Sequence, residues 1–274
     1  TVTAKGVGGE YAFNLWKEHL SKANVPVDHP RNLAFVPASP TRAAIMFDLV
    51  TSASSIHGAY WMEGAGGIFC ENEAMSWIVS LTGLPAGAFG VFTSGGTAAN
   101  LSAIVTAREF WRRDDIYKRE KGLIITSIGA HSSIKAMAKV ADVDILLVDT
   151  EERLTGSDLR NTIEGLNFHQ RKRLFAVVAT GGTTNAGIID DLEGIADICE
   201  QENLWFHVDA AYGGGALAAD SVRHLFNGIE RADSITIDPH KWMFSPYDCG
   251  AVIYKEPELA KEAHSQQGSY LDIF

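Results

Sequence analysis

No run of this 274-residue chain approaches the ~20 apolar residues that a membrane-spanning helix requires. Its first residues, Thr1 to Glu10, lack the basic lead and apolar core of a secretory signal. Cysteine is scarce. Cys70, Cys199 and Cys249 are scattered and odd in number, which excludes a disulfide framework and fits a reducing cytoplasm. Positive charge is also short: 23 Lys and Arg stand against 34 Asp and Glu, for a net charge of -11. Without a basic excess to neutralise phosphates, no nucleic-acid partner is expected, and without an apolar run no membrane partner. Low-complexity tracts, internal repeats and flexible linkers are missing too. What remains is an ordinary globular composition, 46% hydrophobic and 21% charged, long enough for one large domain or two small ones with a sizeable core.

Periodicity divides the chain near residue 85. Before it, helices are expected over Tyr11–Ala23, Arg42–Ser52 and Glu71–Thr82, with loops at the prolines. Gly58 to Gly67, rich in glycine but carrying Tyr60 and Trp61, reads as a packed surface loop or a pocket wall. After residue 85, strands are expected at Phe89–Thr93, Leu123–Thr126, Val143–Val148, Leu174–Ala179, Leu204–Val208, Ser234–Ile237 and Ala251–Tyr254. Helical patterns at Thr97–Arg113, Ser133–Lys139, Ser157–His169 and Leu192–Glu202 lie between them. Such alternation means an α/β fold, with a mostly parallel seven-stranded sheet and helices on both faces. The expected organisation is a helical segment, 1–85, packed on one large domain, 86–274.

Ligands of open α/β sheets bind beyond the carboxyl ends of the strands, so the residues after each strand carry the chemistry. Ser94-Gly95-Gly96-Thr97 opens a helix. It reads equally as a phosphate cradle, with free N–H groups at a positive dipole end, or as a tight turn with a capping threonine. Next come Ala130-His131, whose imidazole could lie over a flat ring, and Thr180-Gly181-Gly182-Thr183-Thr184, a second loop of small and hydroxylic residues. Asp209 closes the apolar run Leu204-Trp205-Phe206-His207-Val208. A carboxylate there is unfavourable unless paired or hydrogen-bonded, and one that meets a pyridine nitrogen keeps it protonated. His207 and Asp209, two apart on a strand, point the same way, which raises a metal site. No third ligand stands at convincing spacing, so no metal is expected. Lys241 follows the next strand within Asp238-Pro239-His240-Lys241-Trp242. A solvated lysine after a turn is the ordinary explanation; a lysine activated by burial or neighbouring cations forms Schiff bases with carbonyl compounds.

In this order, the motifs Thr93-Ser94-Gly95-Gly96-Thr97-Ala98-Ala99-Asn100-Leu101, Ala130-His131, Thr180-Gly181-Gly182-Thr183-Thr184, His207-Val208-Asp209-Ala210-Ala211-Tyr212-Gly213-Gly214 and Asp238-Pro239-His240-Lys241-Trp242 describe a pyridoxal phosphate site. From about His29 onward the chain resembles the group II pyridoxal-phosphate-dependent amino-acid decarboxylases, a branch of the aspartate aminotransferase fold (fold type I). The resemblance implies that Lys241 carries the cofactor as a Schiff base, that Asp209 pairs with its ring nitrogen, and that His131 and Ala211 lie on its two faces. Gly96, Thr97, Asp238 and His240 are implied around the phosphate, and Thr183 or Thr184 at the ring's edge. The implied reaction converts an L-amino acid to an amine and carbon dioxide in a homodimer. Many members have Asn at the position of Asp238, and an acid beside a phosphate is unfavourable unless it points elsewhere. The loop from Ala59 to Gly67 is more glycine-rich than expected for the family. Family members also continue into a small C-terminal domain and a mobile tyrosine-bearing loop, so this chain is expected to be a fragment holding the large domain. Other outcomes on the same scaffold, namely transamination, carbon–carbon cleavage or aldehyde-forming oxidative deamination, and a non-catalytic interaction module, are the alternatives.

Overall fold

Seven short runs of aliphatic and β-branched residues pair into one sheet. The computed structural model describes residues 4–32 and 36–265. The strands are β1 (Phe89–Thr93), β2 (Leu123–Ser127), β3 (Asp144–Val148), β4 (Leu174–Thr180), β5 (Trp205–Asp209), β6 (Ser234–Ile237) and β7 (Gly250–Tyr254). Their order across the sheet is β1-β7-β6-β5-β4-β2-β3. Strand β7 runs antiparallel to both neighbours, and the pairs among β2 to β6 are parallel. The helices are α1 (Gly9–Leu15), α2 (Arg42–Ser54), α3 (Trp61–Thr82), α4 (Gly96–Trp111), α5 (Ser132–Val140), α6 (Gly156–Glu164), α7 (Phe168–Arg173), α8 (Leu192–Glu202), α9 (Asp220–Arg223) and α10 (Pro257–His264).

The period-2 alternation of the strands feeds two apolar layers, one on each face. Ile125, Val177, Val208, Ile235 and Ile253 pack with Leu159 and Ile163 of α6, Leu192 and Ile195 of α8, and Met75 and Ile78 of α3. Their chain neighbours Ile124, Ala176, Val178 and Val252 pack with Ala99, Ala103 and Ile104 of α4 and Ile134 and Met137 of α5. Helices therefore cover both faces of a mostly parallel sheet, as the alternation predicted. The parallel strands send their carboxyl ends to one edge, which is where the motif residues follow.

Three expectations change. Gly58–Gly67 is not a loop throughout: helix α3 begins at Trp61 and runs through Gly64, Gly66 and Gly67, with non-helical φ/ψ at Gly64. A Cβ on Gly64 would sit 2.6 Å from the His57 carbonyl oxygen, so the glycine allows a close crossing rather than marking a coil. Ser157–His169 is two helices, not one, because Asn167 and Gln170 form a capping box that starts α7 afresh. Helix α10 follows β7 and was not foreseen. It opens with Pro257 in its first turn, where a missing N–H is harmless. Residues 266–274 of the expected large domain lie outside the described residues. Among those described, no helix is long and apolar enough to cross a membrane.

Candidate active site

The loops after β1, β2, β4, β5 and β6 converge on one cavity of about 320 Å3. That volume falls in the ~300–1,000 Å3 range of small-molecule sites. All ten residues singled out in the sequence line it: Gly96, Thr97, His131, Thr183, Thr184, Asp209, Ala211, Asp238, His240 and Lys241.

The turn after β1 is short because Gly95 and Gly96 carry no side chains. A Cβ on Gly96 would meet Asp238 Oδ2 at 2.9 Å and the Ala211 Cβ at 3.0 Å. The Gly96 N–H donates to Asp238 Oδ2 at 3.0 Å, so this helix end already holds one internal carboxylate. The Thr97 N–H has no acceptor among the described residues. Asp238 does not face outward as a phosphate ligand would. Its Oδ2 also pairs with Lys241 Nζ at 2.9 Å and lies 3.5 Å from His240 Nε2. The lysine is half-buried and its carboxylate partner almost fully so. Removing either member would leave an uncompensated charge, at a typical penalty of about 3–5 kcal/mol for buried pairs.

Asp209 ends β5, 6% exposed. Its Oδ2 accepts from Asn100 Nδ2 at 2.9 Å and its Oδ1 from the Ala211 N–H at 3.2 Å. Burial pushes this carboxyl above the usual carboxylate range; the Ala211 and Asn100 hydrogen bonds and the Lys241 charge oppose the shift. His207 does share a face with Asp209, as the strand spacing required. Both of its nitrogens are engaged, with Ser234 Oγ and Asn100 Oδ1, so it is not offered to a metal. No group of three or more His, Cys, Asp or Glu suited to a metal ion occurs among the described residues.

His131 caps α5. Its Nδ1 accepts the Ser133 N–H at 3.2 Å and lies 2.8 Å from Ser133 Oγ, which orients the ring at the cavity wall. Thr183 is fixed by its hydroxyl, which accepts the Ile188 N–H at 3.1 Å, whereas Thr184 is exposed. His240 accepts the Cys249 N–H on Nδ1 at 2.8 Å and stacks on Tyr247, ring centres 3.9 Å apart. Its pKa is lowered, first by burial.

Sequence reasoning gave no role to Asn100 and Tyr212, which stand within its motifs, and did not single out Tyr247; all three line the cavity. Asn100 had a signal: a lone amide on a helix face of Ala99, Ala103, Ile104 and Ala107, all buried. Tyr247 had none, since only the fold of the segment after Lys241 brings it over His240.

Comparison with known proteins gives the same picture. The model of the pyridoxal-dependent decarboxylase conserved domain matches residues 17–273. The chain belongs to the pyridoxal-dependent decarboxylase family. It is 35% identical over 250 residues to an aromatic-L-amino-acid decarboxylase of Bacillus atrophaeus, covering 89% of this chain and 51% of that protein. It is 35% identical to an L-2,4-diaminobutyrate decarboxylase of Rhizobium meliloti, covering 84% of this chain and 46% of that protein. A crystal structure of mouse CSAD superposes with a TM-score of 0.88 at 28% identity, over 98% of this chain and 57% of that one. The chain thus spans about half the length of the curated relatives it matches.

The family's cofactor is pyridoxal phosphate, and the residues present fit it. A lysine amine and a carboxylate open on the same cavity, and the cradle at Gly96 would be closed by a single Cβ. Among the described residues, two buried oxygens without partners, Thr180 Oγ1 and Asp238 Oδ1, belong to residues that line it.

Proposed function

We propose that this chain forms the cofactor-binding part of an enzyme that decarboxylates an L-amino acid to an amine and carbon dioxide, with pyridoxal phosphate carried on Lys241. One observation carries the reading: Lys241 and the buried Asp209 face one cavity that also borders the N-terminus of α4. Bound pyridoxal phosphate supplies a ring that draws in the electron pair left behind when carbon dioxide departs. Lys241 would hold it covalently through its side-chain amine. Asp238 Oδ2, 2.9 Å from Nζ, is the counter-ion of the free Lys241 amine. Asp209 would hold a proton on the ring nitrogen. His131 and Ala211 would hold the ring between them, Thr183 and Thr184 would stand at its edge, and Thr97 and Gly96, with His240 behind them, would receive the phosphate.

The curated relatives act on aromatic amino acids, diaminobutyrate and cysteine sulfinate, so the substrate lies within amino acids of quite different side chains. A second reading, aldehyde formation, has one supporting observation: a 4-hydroxyphenylacetaldehyde synthase of Rhodiola rosea superposes with a TM-score of 0.89 at 25% identity. The test is an assay of the purified, cofactor-loaded protein against a panel of L-amino acids, with carbon dioxide, amine and aldehyde all measured. Amine and carbon dioxide in equal amounts support decarboxylation. Aldehyde in place of amine supports the second reading.

We further read residues 1–85 as a helical segment serving a homodimer and 86–274 as the cofactor-binding domain. Helices α1 and α2 bury no residue of their own, and Met46, Phe47 and Leu49 of α2 are 61%, 71% and 63% exposed. A second copy that covers this face would remove an unusually apolar surface from water. The three free thiols agree with a reducing, cytoplasmic setting.

A further inference from the structure

Beneath the cavity, five polar side chains form a single file of hydrogen bonds. Trp205, His207 and Asp209 alternate along β5 and so share a face. Ser234 of β6 is the register partner of His207, and Asn100 reaches down from α4. Trp205 Nε1 donates to Ser234 Oγ at 2.8 Å. Ser234 Oγ lies 2.8 Å from His207 Nδ1, His207 Nε2 lies 2.9 Å from Asn100 Oδ1, and Asn100 Nδ2 donates to Asp209 Oδ2 at 2.9 Å. His207 and Ser234 are 0% exposed and Asn100 1%.

The carboxylate end sets most of the directions. A carboxylate can only accept, so Asn100 turns its amide N–H groups to Asp209 and its Oδ1 accepts from His207 Nε2, which therefore carries a proton. An indole N–H can only donate, so Trp205 donates to Ser234 Oγ. A buried imidazole is held neutral, which leaves Nδ1 an acceptor for the serine's own hydrogen. Every donor points the same way, and bonds in such a file polarise one another. Burial agrees with the assignment, since it lowers the His207 pKa to about 4.

We infer that Trp205, Ser234, His207 and Asn100 are positioning residues whose one-way relay keeps Asp209 an oriented, ionised carboxylate toward the cofactor's ring nitrogen. The inference rests on the cofactor reading above. Its physical basis is a contest at Asp209. Burial favours the neutral acid, and a hydrogen bond to the charged form favours the carboxylate. Asn100 can supply a fixed donor only if its orientation is fixed, and His207 fixes it. Only Asn100 and Asp209 of the five line the cavity, so Trp205, Ser234 and His207 act without touching cofactor or substrate.

The test compares binding of pyridoxal phosphate with that of its 1-deaza analogue, in which C–H replaces the ring nitrogen. The protein is stripped of cofactor and titrated with each, in the parent, His207→Phe, His207→Gln and Ser234→Ala. With the relay cut, Asp209 takes up a proton and no longer pairs with a protonated ring nitrogen. Hydrogen bonds to charged groups set the size, so His207→Phe is expected to weaken pyridoxal phosphate about tenfold or more. The analogue, which has no nitrogen to pair, is expected to change less than about twofold on the same basis. His207→Gln, which keeps a donor toward Asn100, recovers part of the loss. Ser234→Ala gives the same selectivity in smaller measure and remains usable if His207→Phe does not fold. Nitrogen NMR of the cofactor-free parent is expected to find His207 neutral with its proton on Nε2 from pH 5 to 8, the range set by its lowered pKa. Equal weakening of both ligands, or a proton on Nδ1, overturns the relay. If the parent binds neither ligand, the cofactor reading itself fails, while the NMR arm still decides the relay's direction.

Discussion

Two regions of this molecule break the rule of apolar inside and polar outside, in opposite senses. Along β5 and β6 and at their carboxyl ends, polar groups are buried: Asp209, His207, Ser234 and Asp238 are each at most 6% exposed. At the N-terminal helices, apolar groups are exposed, with Ile45, Met46, Phe47, Leu49 and Val50 of α2 all above half. The first region links Asp209, His207 and Ser234 through hydrogen bonds but leaves Thr180 Oγ1, Thr236 Oγ1 and Asp238 Oδ1 without a partner among the described residues. The second has shape and apolar surface but few partners within the chain. Thr41 caps α2 and donates its N–H to Phe244 O, which anchors the start of that helix. The difference separates buried polar groups that gather at the cofactor site from an exposed apolar face that the proposed second copy would cover.

The sharpest break of the polar region is Lys241→Ala. It should abolish cofactor fixed by borohydride, with peptide mapping as the check, and leave Asp238 buried beside no cation. Recovery of the cofactor on another lysine would remove Lys241 from its proposed role. Asp209→Asn is next. Cofactor should still bind, while single-turnover decarboxylation falls by roughly 10²–10³-fold, the range for losing one well-placed electrostatic group. Near-parent turnover would show that ring protonation does not depend on this carboxylate. Gly96→Ala should follow, since its Cβ would press on Asp238 Oδ2 at 2.9 Å and on Ala211. A loss of about tenfold in cofactor affinity, against a change in melting temperature matching 1–3 kcal/mol of overpacking, is the expected result by equilibrium titration and calorimetry.

The pH dependence sharpens the same region. His207 has a folded pKa of about 4, below the ordinary 6.5. Its contribution to stability is therefore complete above pH 6.5 and lost as pH falls toward 4, to the extent of roughly 3 kcal/mol. Asp190 works with the opposite sign. Burial pushes its carboxyl up to about 6, and it receives the Thr180 and Leu154 N–H groups at 2.7 and 2.8 Å. Its contribution is present below pH 3.8 and is lost as pH rises to about 6. Between pH 4 and 6 the two slopes oppose. Denaturant titrations of His207→Phe across that window should show stability falling with pH relative to the parent; an unchanged slope would mean that His207 does not titrate as a buried neutral group. The smallest effect belongs to the apolar region. Phe47→Glu should change the unfolding free energy of the protomer by no more than about 0.5 kcal/mol, yet dissociate the proposed dimer in sedimentation. A large loss of protomer stability would mean that this face packs within its own chain.

Much of the site was legible because its residues stand at fixed offsets from strand ends, and strands announce themselves by composition and period. The rule that parallel strands send their carboxyl ends to one edge brought the motifs together, and the family resemblance singled out ten of the residues that line the cavity. The same rule could not show that β7 enters antiparallel between β1 and β6, because nothing local in Gly250–Tyr254 names its neighbours. The glycines of α3 misled for a related reason: Gly64 is required by the His57 carbonyl it passes, a contact that composition reports as flexibility.

The sequence by itself determined the strands, most of the helices, the chemistry at the strand ends and the family to which the chain belongs, since each rests on residues close together in the chain. Only the tertiary structure decided the partners of the buried polar groups. Asn100 meets Asp209 across 109 positions, and Gly96 meets Asp238 across 142. The strand period predicts that His207 shares a face with Asp209, but not that a helix amide lies between them. Hydrogen bonds act only within about 3 Å and near-linear geometry, so a residue's type limits what it can donate or accept while the fold chooses the atom that receives it.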